Sequence, residues 1–368
     1  MAKTPLQELA DHGQSVWIDY LSRPFVQDGD LAGLVEQGVE GVTSNPTIFQ
    51  GAIAEGDAYD QQIREIVEGG ETEPKEIFIA LASSDIRDAC DVLRSVYDGG
   101  DGKDGYVSFE VDPNLAHDTE NTIEEAKRLH ALIDKPNLFI KIPATKEGLP
   151  AIEETIAAGI PVNVTLIFSL ERHREVAEAY IRGLQRHADG GGDLSRIASV
   201  ASFFVSRVDT EGDKRLDEIG GHDELKGKLA IANAKLAYQQ YKEVFSGEQW
   251  EALREKGATA QRCLWASTST KNPEYRDVIY VEELVGPDTV NTMPRATVEA
   301  VIDHGQIRDS LEEDVEGARK VLEDLKAAGI DYDDVVDTLE KEGVKKFADS
   351  FKELFADIES KRDQLVAA

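Results

Sequence analysis

Short β-branched and aromatic runs alternate with longer helical stretches along the chain. The runs are SVWIDY (15–20), GVTSN (41–45), GYVSFEV (105–111), NLFIKIP (137–143), PVNVTLIFS (161–169), ASVASFFVS (198–206), RCLWAST (262–268) and TVNTM (289–293). Runs of this length and composition predict strands, whereas 146–159, 170–188 and 211–246 carry the helical period. Gly or Pro stands at many of the junctions. Thr122, with Glu125 three residues on and Leu129 and Leu132 beyond, predicts a capping box. The glycine-rich stretches 98–105 and 187–195 read as plain connecting loops. Near the end of the chain, Phe347, Phe351, Leu354, Phe355 and Ile358 recur at spacings of three and four, the pattern of a helix packing on a core. Strands separated by helices pair in parallel through right-handed crossovers. Eight of them in a chain of this size predict an α/β fold with a closed (β/α)8 barrel. No GxGxxG or GxxxxGK[ST] follows any strand, so a nucleotide-binding open sheet is the less favoured alternative. The expected organisation is one barrel domain over residues 1–368, with 307–368 forming outer and C-terminal helices.

Polar residues fall on one parity within these strands. In a closed barrel, alternate residues point to the interior and to the helical coat. In 137–143, Leu138, Ile140 and Ile142 share the face expected against the coat, which turns Phe139 and Lys141 inward. The same alternation sends Val162, Val164, Leu166 and Phe168 outward and Asn163 and Thr165 inward. Val107, Phe109 and Val111 go outward, and Ser108 and Glu110 inward. Val16 and Ile18 go outward, and Trp17 and Asp19 inward. Val42 goes outward, and Thr43 and Asn45 inward. Five strands thus aim an amine, two carboxylates and two amides at one enclosed volume. Any one of them alone reads as an edge charge, a cap or a turn residue. Buried together, they require mutual pairing or a function.

Composition narrows the partners. The chain has 368 residues, 41% of them hydrophobic, and a net charge of −32. Such a charge opposes polyanions, so neither nucleic acid nor an anionic membrane is an expected partner. No stretch approaches the roughly 18 apolar residues that span a bilayer, and the opening MAKTPLQELADHGQ lacks the apolar run of a secretion signal. Cys90 and Cys263 lie far apart, with no metal-ligand spacing around either. A cytoplasmic location is expected, as monomer or homodimer.

An inward lysine points to amine chemistry. Enclosure among apolar groups favours the neutral amine over an ammonium of pKa about 10.4, and enzymes bring such lysines to about 7–8. A neutral amine condenses with a ketone to an iminium, an electron sink for breaking the adjacent C–C bond. That sequence needs one base for a substrate hydroxyl and a second acid/base to move water, and Asp19 and Glu110 are the two available. A phosphorylated substrate would need cations, and Arg207 and Lys271 follow the sixth and seventh strand runs, where a barrel's C-terminal loops carry its site.

The segment Gly41-Val42-Thr43-Ser44-Asn45-Pro46-Thr47-Ile48-Phe49 resembles the N-terminal signature of transaldolases, and 137–145 resembles the segment that holds their Schiff-base lysine. SFEVDP (108–113), NVTLIFS (163–169), ASFFVSRVD (201–209) and WASTSTKNP (265–273) match in order, so the resemblance runs from 15 to about 360. It is nearest the longer bacterial branch of that family. The resemblance implies a class I aldolase-type barrel that transfers a dihydroxyacetone unit between sugar phosphates in the non-oxidative pentose phosphate pathway, with no metal or organic cofactor. It also implies Lys141 as nucleophile, Asp19 as base for the C4 hydroxyl, and Glu110 with Thr165 and a water for carbinolamine formation and dehydration. Asn45, Asn163, Ser202 and Ser267 would hold the substrate hydroxyls, and Arg207, helped by Lys271, the phosphate. The related fructose-6-phosphate aldolases carry a tyrosine where this chain has Phe204, which favours transfer over simple cleavage.

Overall fold

The computed structural model describes residues 3–54 and 56–367. Eight strands close on themselves in sequence order: β1 (Gln14–Asp19), β2 (Val39–Thr43), β3 (Val107–Glu110), β4 (Leu138–Pro143), β5 (Val162–Ile167), β6 (Ser199–Phe204), β7 (Arg262–Ala266) and β8 (Thr289–Met293). Every neighbouring pair is parallel, including β8 with β1. Each strand lies within two residues of its expected bounds. The outward residues Val16, Ile18, Leu138, Ile140, Ile142, Val162 and Val164 are fully buried in the core shared with the helical coat. Among the described residues no helix is long and apolar enough to cross a membrane.

Three local expectations are corrected. The stretch 211–246 is two helices, Ser206–Ile219 and Leu229–Val244, rather than one. Gly220 and Gly221 break it by taking φ of +78° and +82°, which suits glycine and ends a helix. Asp209 then accepts from the Ala230 N–H (2.7 Å) in the first turn of the second helix, and Asp213 from the Gly227 N–H (2.9 Å) in the connection before it. The capping box at Thr122 is absent, because Asp118 caps that helix instead, accepting from the Asn121 N–H at 3.1 Å. Thr122 lies inside the first turn and donates to the Leu115 carbonyl, and Glu125 accepts from the Asp112 N–H. In β5 the alternation fails at Leu166, which sits at φ +60° in a bulge between Val164 and Ile167. The bulge returns Ile167 to the coat and brings the Phe168 ring to 5.1 Å from Phe204.

The barrel interior divides into two halves. Toward the strand N-termini, Phe139 stacks on Tyr106 (4.0 Å) and stands 6.0 Å from Trp17, forming an aromatic floor. Beneath it, Asp104 accepts from Ser15, from the Trp17 indole N–H (2.9 Å) and from Arg262 (3.0 Å), closing the barrel from below. Asp104 lies in the stretch 98–105, read from sequence as a plain loop. The β1–β2 register sets Trp17 beside Gly41. A Cβ on Gly41 would lie 2.5 Å from the indole ring, so only glycine leaves room for the floor.

Gly41→Ala is therefore expected to lower stability by about 1–3 kcal/mol through overpacking, read as a lower urea midpoint at constant m-value. An unchanged midpoint would show that the indole has room to move.

Candidate active site

Above the aromatic floor the inward residues are polar. Lys141 is two residues beyond Phe139, so the same alternation that lays the floor raises the amine above it. The β3–β4 register sets Glu110 beside Lys141. Their charged groups meet at 3.1 Å, with side-chain exposures of 4% and 6% respectively, low enough to shield the pair from solvent screening. Lys141 Nζ also donates to the Ser44 carbonyl at 3.0 Å, and the Phe347 ring stands 5.5 Å away. The Glu110 oxygens and Thr165 Oγ1 are buried without a hydrogen-bond partner of good geometry among the described residues. Buried polar atoms in that state are matched to a ligand or to water.

Asp19 ends β1 on the same inward parity. Thr43 donates to its Oδ1 at 2.7 Å and shares a second 2.7 Å hydrogen bond with the Thr292 hydroxyl from β8. The Asp19 side chain is half-buried and lines the cavity at the strand ends. Burial accordingly raises its carboxyl above the usual range, against the pull of Lys141, Thr43, Arg207 and Lys271. Burial also raises Glu110, opposed by Lys141 and reinforced by Asp19. Two carboxylates raised by burial thus share one enclosed volume with an amine, a clustering of perturbed groups typical of functional sites.

A cavity of about 220 Å³ opens at the C-terminal ends of the strands. Nine of the eleven expected site residues line it: Asp19, Asn45, Lys141, Thr165, Ser202, Phe204, Arg207, Ser267 and Lys271. Glu110 and Asn163 stand behind this wall. Glu110 reaches the cavity through Lys141. Asn163 is fully buried, donating to Ser108 Oγ (3.0 Å) and accepting from Ser202 Oγ (2.7 Å), so it orients Ser202 and keeps one amide hydrogen spare. Asn45 serves two ends, since its Oδ1 also accepts from the Ile48 N–H and starts the helix Pro46–Ala54. Ser267 holds φ +56° with its hydroxyl 2.9 Å from Ser206 Oγ, and Lys271 donates to Ser269. The Arg207 guanidinium lies 5.1 Å from the Phe204 ring.

Sequence reading passed over several residues here. Thr43 and Ser108 face inward by parity but carry no expected task, and Thr292, Lys346 and Phe347 stand outside the expected site. The same alternation applied to β8 turns Thr292 inward, opposite Trp17. Lys346 and Phe347 arrive on the C-terminal helix Tyr332–Ala367, and only the fold brings that helix to the cavity. A larger cavity, about 610 Å³, opens near the strand N-termini, where Phe139, Tyr106 and Arg262 line it. It holds no nucleophile beside an acid/base pair, and its cations Lys103, Lys242, Arg254 and Arg262 are already paired with carboxylates. The smaller one is lined by the amine and by Asp19.

A (β/α)8 barrel with an enclosed amine, two flanking carboxylates and cations at its C-terminal mouth has the makeup of a class I aldolase-type enzyme. Residues 16–358 match the model of the family described as transaldolase/fructose-6-phosphate aldolase. Curated relatives named transaldolase match over nearly full length. A transaldolase of Acidothermus cellulolyticus is 56% identical over 96% of this chain and 95% of its own. Transaldolase 2 of Streptomyces coelicolor is 54% identical over 98% of both chains, and a transaldolase of Frankia alni 53% over 96% of both. The chain belongs to the transaldolase/fructose-6-phosphate aldolase family.

Thr43→Val removes a hydrogen bond that holds the Asp19 carboxyl down, so Asp19 is expected to titrate at higher pH, read from the carboxyl carbon by NMR. Titration at an unchanged pH would remove Thr43 from that role.

Proposed function

We propose that this chain is a transaldolase, capturing a ketose phosphate on Lys141 and passing its dihydroxyacetone unit to an aldose phosphate. The observation that carries this reading is the enclosed Lys141–Glu110 pair with Asp19 on the same inward face. A proton moved from Lys141 to Glu110, whose carboxyl burial raises, leaves a neutral amine inside the barrel. The amine attacks the ketose C2. Glu110, with Thr165 and a water, moves the protons that turn the carbinolamine into an iminium and release water. Asp19 then takes the C4 hydroxyl proton as the C3–C4 bond breaks. Its electron pair enters the iminium to give an enamine, and the aldose phosphate departs. Attack by the enamine on the acceptor aldehyde forms the new C–C bond, and hydrolysis of the iminium returns Lys141.

Asn45, Asn163, Ser202 and Ser267 would hold the substrate hydroxyls, and Arg207 with Lys271 the phosphate. Burial lowers the Lys271 amine, and proximity to Arg207 lowers it further, an electrostatic conflict that a phosphate dianion relieves. Phe204, packed between Phe168 and Arg207, brings no proton to the enamine, which supports transfer over hydrolytic release. The donors would be fructose 6-phosphate or sedoheptulose 7-phosphate, and the acceptors erythrose 4-phosphate or glyceraldehyde 3-phosphate. This reading takes the chain as one barrel domain over 1–368 working in the cytoplasm as monomer or homodimer. It needs no cofactor.

With sedoheptulose 7-phosphate, turnover is expected only when glyceraldehyde 3-phosphate is present, and borohydride with fructose 6-phosphate should leave a stable adduct at Lys141. Turnover without acceptor would make the chain an aldolase, and no turnover with no adduct would leave a sugar-phosphate-binding barrel. Asp19→Ala should lower kcat by about a hundredfold or more, the usual scale for a lost general base, with little change in substrate binding. Equal losses in both would make Asp19 a binding group.

A further inference from the structure

The C-terminal helix Tyr332–Ala367 is fastened along the helix Pro46–Ala54, which itself begins at Asn45. Thr47 and Ser350 hydroxyls meet at 2.8 Å, and Gln50 donates to Asp357 at 3.0 Å. Lys361 reaches the Ile53 and Gly56 carbonyls at 3.1 and 2.6 Å. Phe351 packs edge-on against Phe78. Ser350 is one helical turn beyond Lys346, so its bond to Thr47 sets the height of Lys346 over the cavity mouth. Phe347, the next residue, is buried above the Lys141 amine.

Lys346 thereby lines the cavity together with Arg207 and Lys271. Arg207 lies over Phe204 and Lys271 donates to Ser269. None of the three forms an ion pair among the described residues, although the chain carries 72 acidic side chains. The nearby carboxylates Asp19 and Glu342 act on Arg207, and Asp19 on Lys271, without closing to ion-pair distance of either. Lys346 in turn pushes the Lys271 amine down, after burial and Arg207. Three like charges held at one rim by separate elements have no ion-pair partner among the described residues, and a dianion would supply one.

We propose that Lys346 is a third cation of the phosphate subsite, carried to the barrel mouth by the C-terminal helix and acting with Arg207 and Lys271 on the donor's phosphate. The proposal rests on reading this cavity as the sugar-phosphate site. It makes the C-terminal helix part of the substrate site as well as of the core.

Lys346→Met keeps the aliphatic stem and removes the charge. The KM for fructose 6-phosphate is expected to rise about three- to tenfold, between the worth of an exposed ion pair and that of a charged hydrogen bond. Inhibition by inorganic phosphate should weaken by a similar factor, kcat should change less, and Lys346→Arg should restore most of the loss. A purely structural role would instead lower the KM contrast between fructose 6-phosphate and unphosphorylated fructose by nothing, raising both equally. An unchanged KM, an equal rise for both sugars, or no rescue by arginine would overturn the assignment of Lys346 while leaving the parent enzyme's activity standing. A parent chain that fails to turn over fructose 6-phosphate at all would overturn the underlying reading and this one with it.

Discussion

The buried contact between Lys141 and Glu110 is the constraint on which the rest of the site depends. An ammonium and a carboxylate removed from water lose hydration that their attraction only partly replaces, and removing either partner would strand the other. The fold tolerates the pair because it is completed by neighbours: the Ser44 carbonyl accepts from the amine, and the aromatic floor of Phe139, Tyr106 and Trp17 keeps water from below. The same enclosure that makes the pair costly raises the Glu110 carboxyl above its usual range. Stability is given up at the point where reactivity is needed.

The barrel is polarised along its axis by one alternation. Along β1, Trp17 belongs to the floor and Asp19 to the site; along β4, Phe139 and Lys141 divide in the same way. Gly41 serves the floor, and Thr43, two residues on, holds Asp19. β1, β2 and β4 thus carry floor residues at their starts and site-lining polar residues at their ends, and the closed hydrogen-bond ladder registers one strand's contribution against the next. The ion cluster of Asp104 and Arg262 closes the other end, where it fixes the indole of Trp17 without approaching the amine.

The mouth is assembled from elements remote in sequence. Arg207 follows β6, Lys271 follows β7 through the left-handed turn at Ser267, and Lys346 comes from a helix that begins after the barrel is complete. Their convergence gives an acidic protein a local cationic rim, and Phe347 places an apolar cover over the reacting end.

The amino-acid sequence alone was enough for the strand count, the closed barrel and the inward direction of Asp19, Glu110, Lys141 and Thr165, because a period of two is imposed by the backbone wherever one face must meet an apolar coat. It was also enough for the family, through the segments 41–49 and 137–145. What periodicity could not reach were the places where one residue departs from the local rule: the bulge at Leu166, the glycine break at 220–221, and Asp118 taking the cap from Thr122. Nor could it reach the pairing of Thr292 with Thr43, the burial of Asp104, or the arrival of Lys346 and Phe347. These are contacts between segments up to some 300 residues apart. Spacing along a chain orders neighbours on one element, but distances between elements are decided only when the whole core packs.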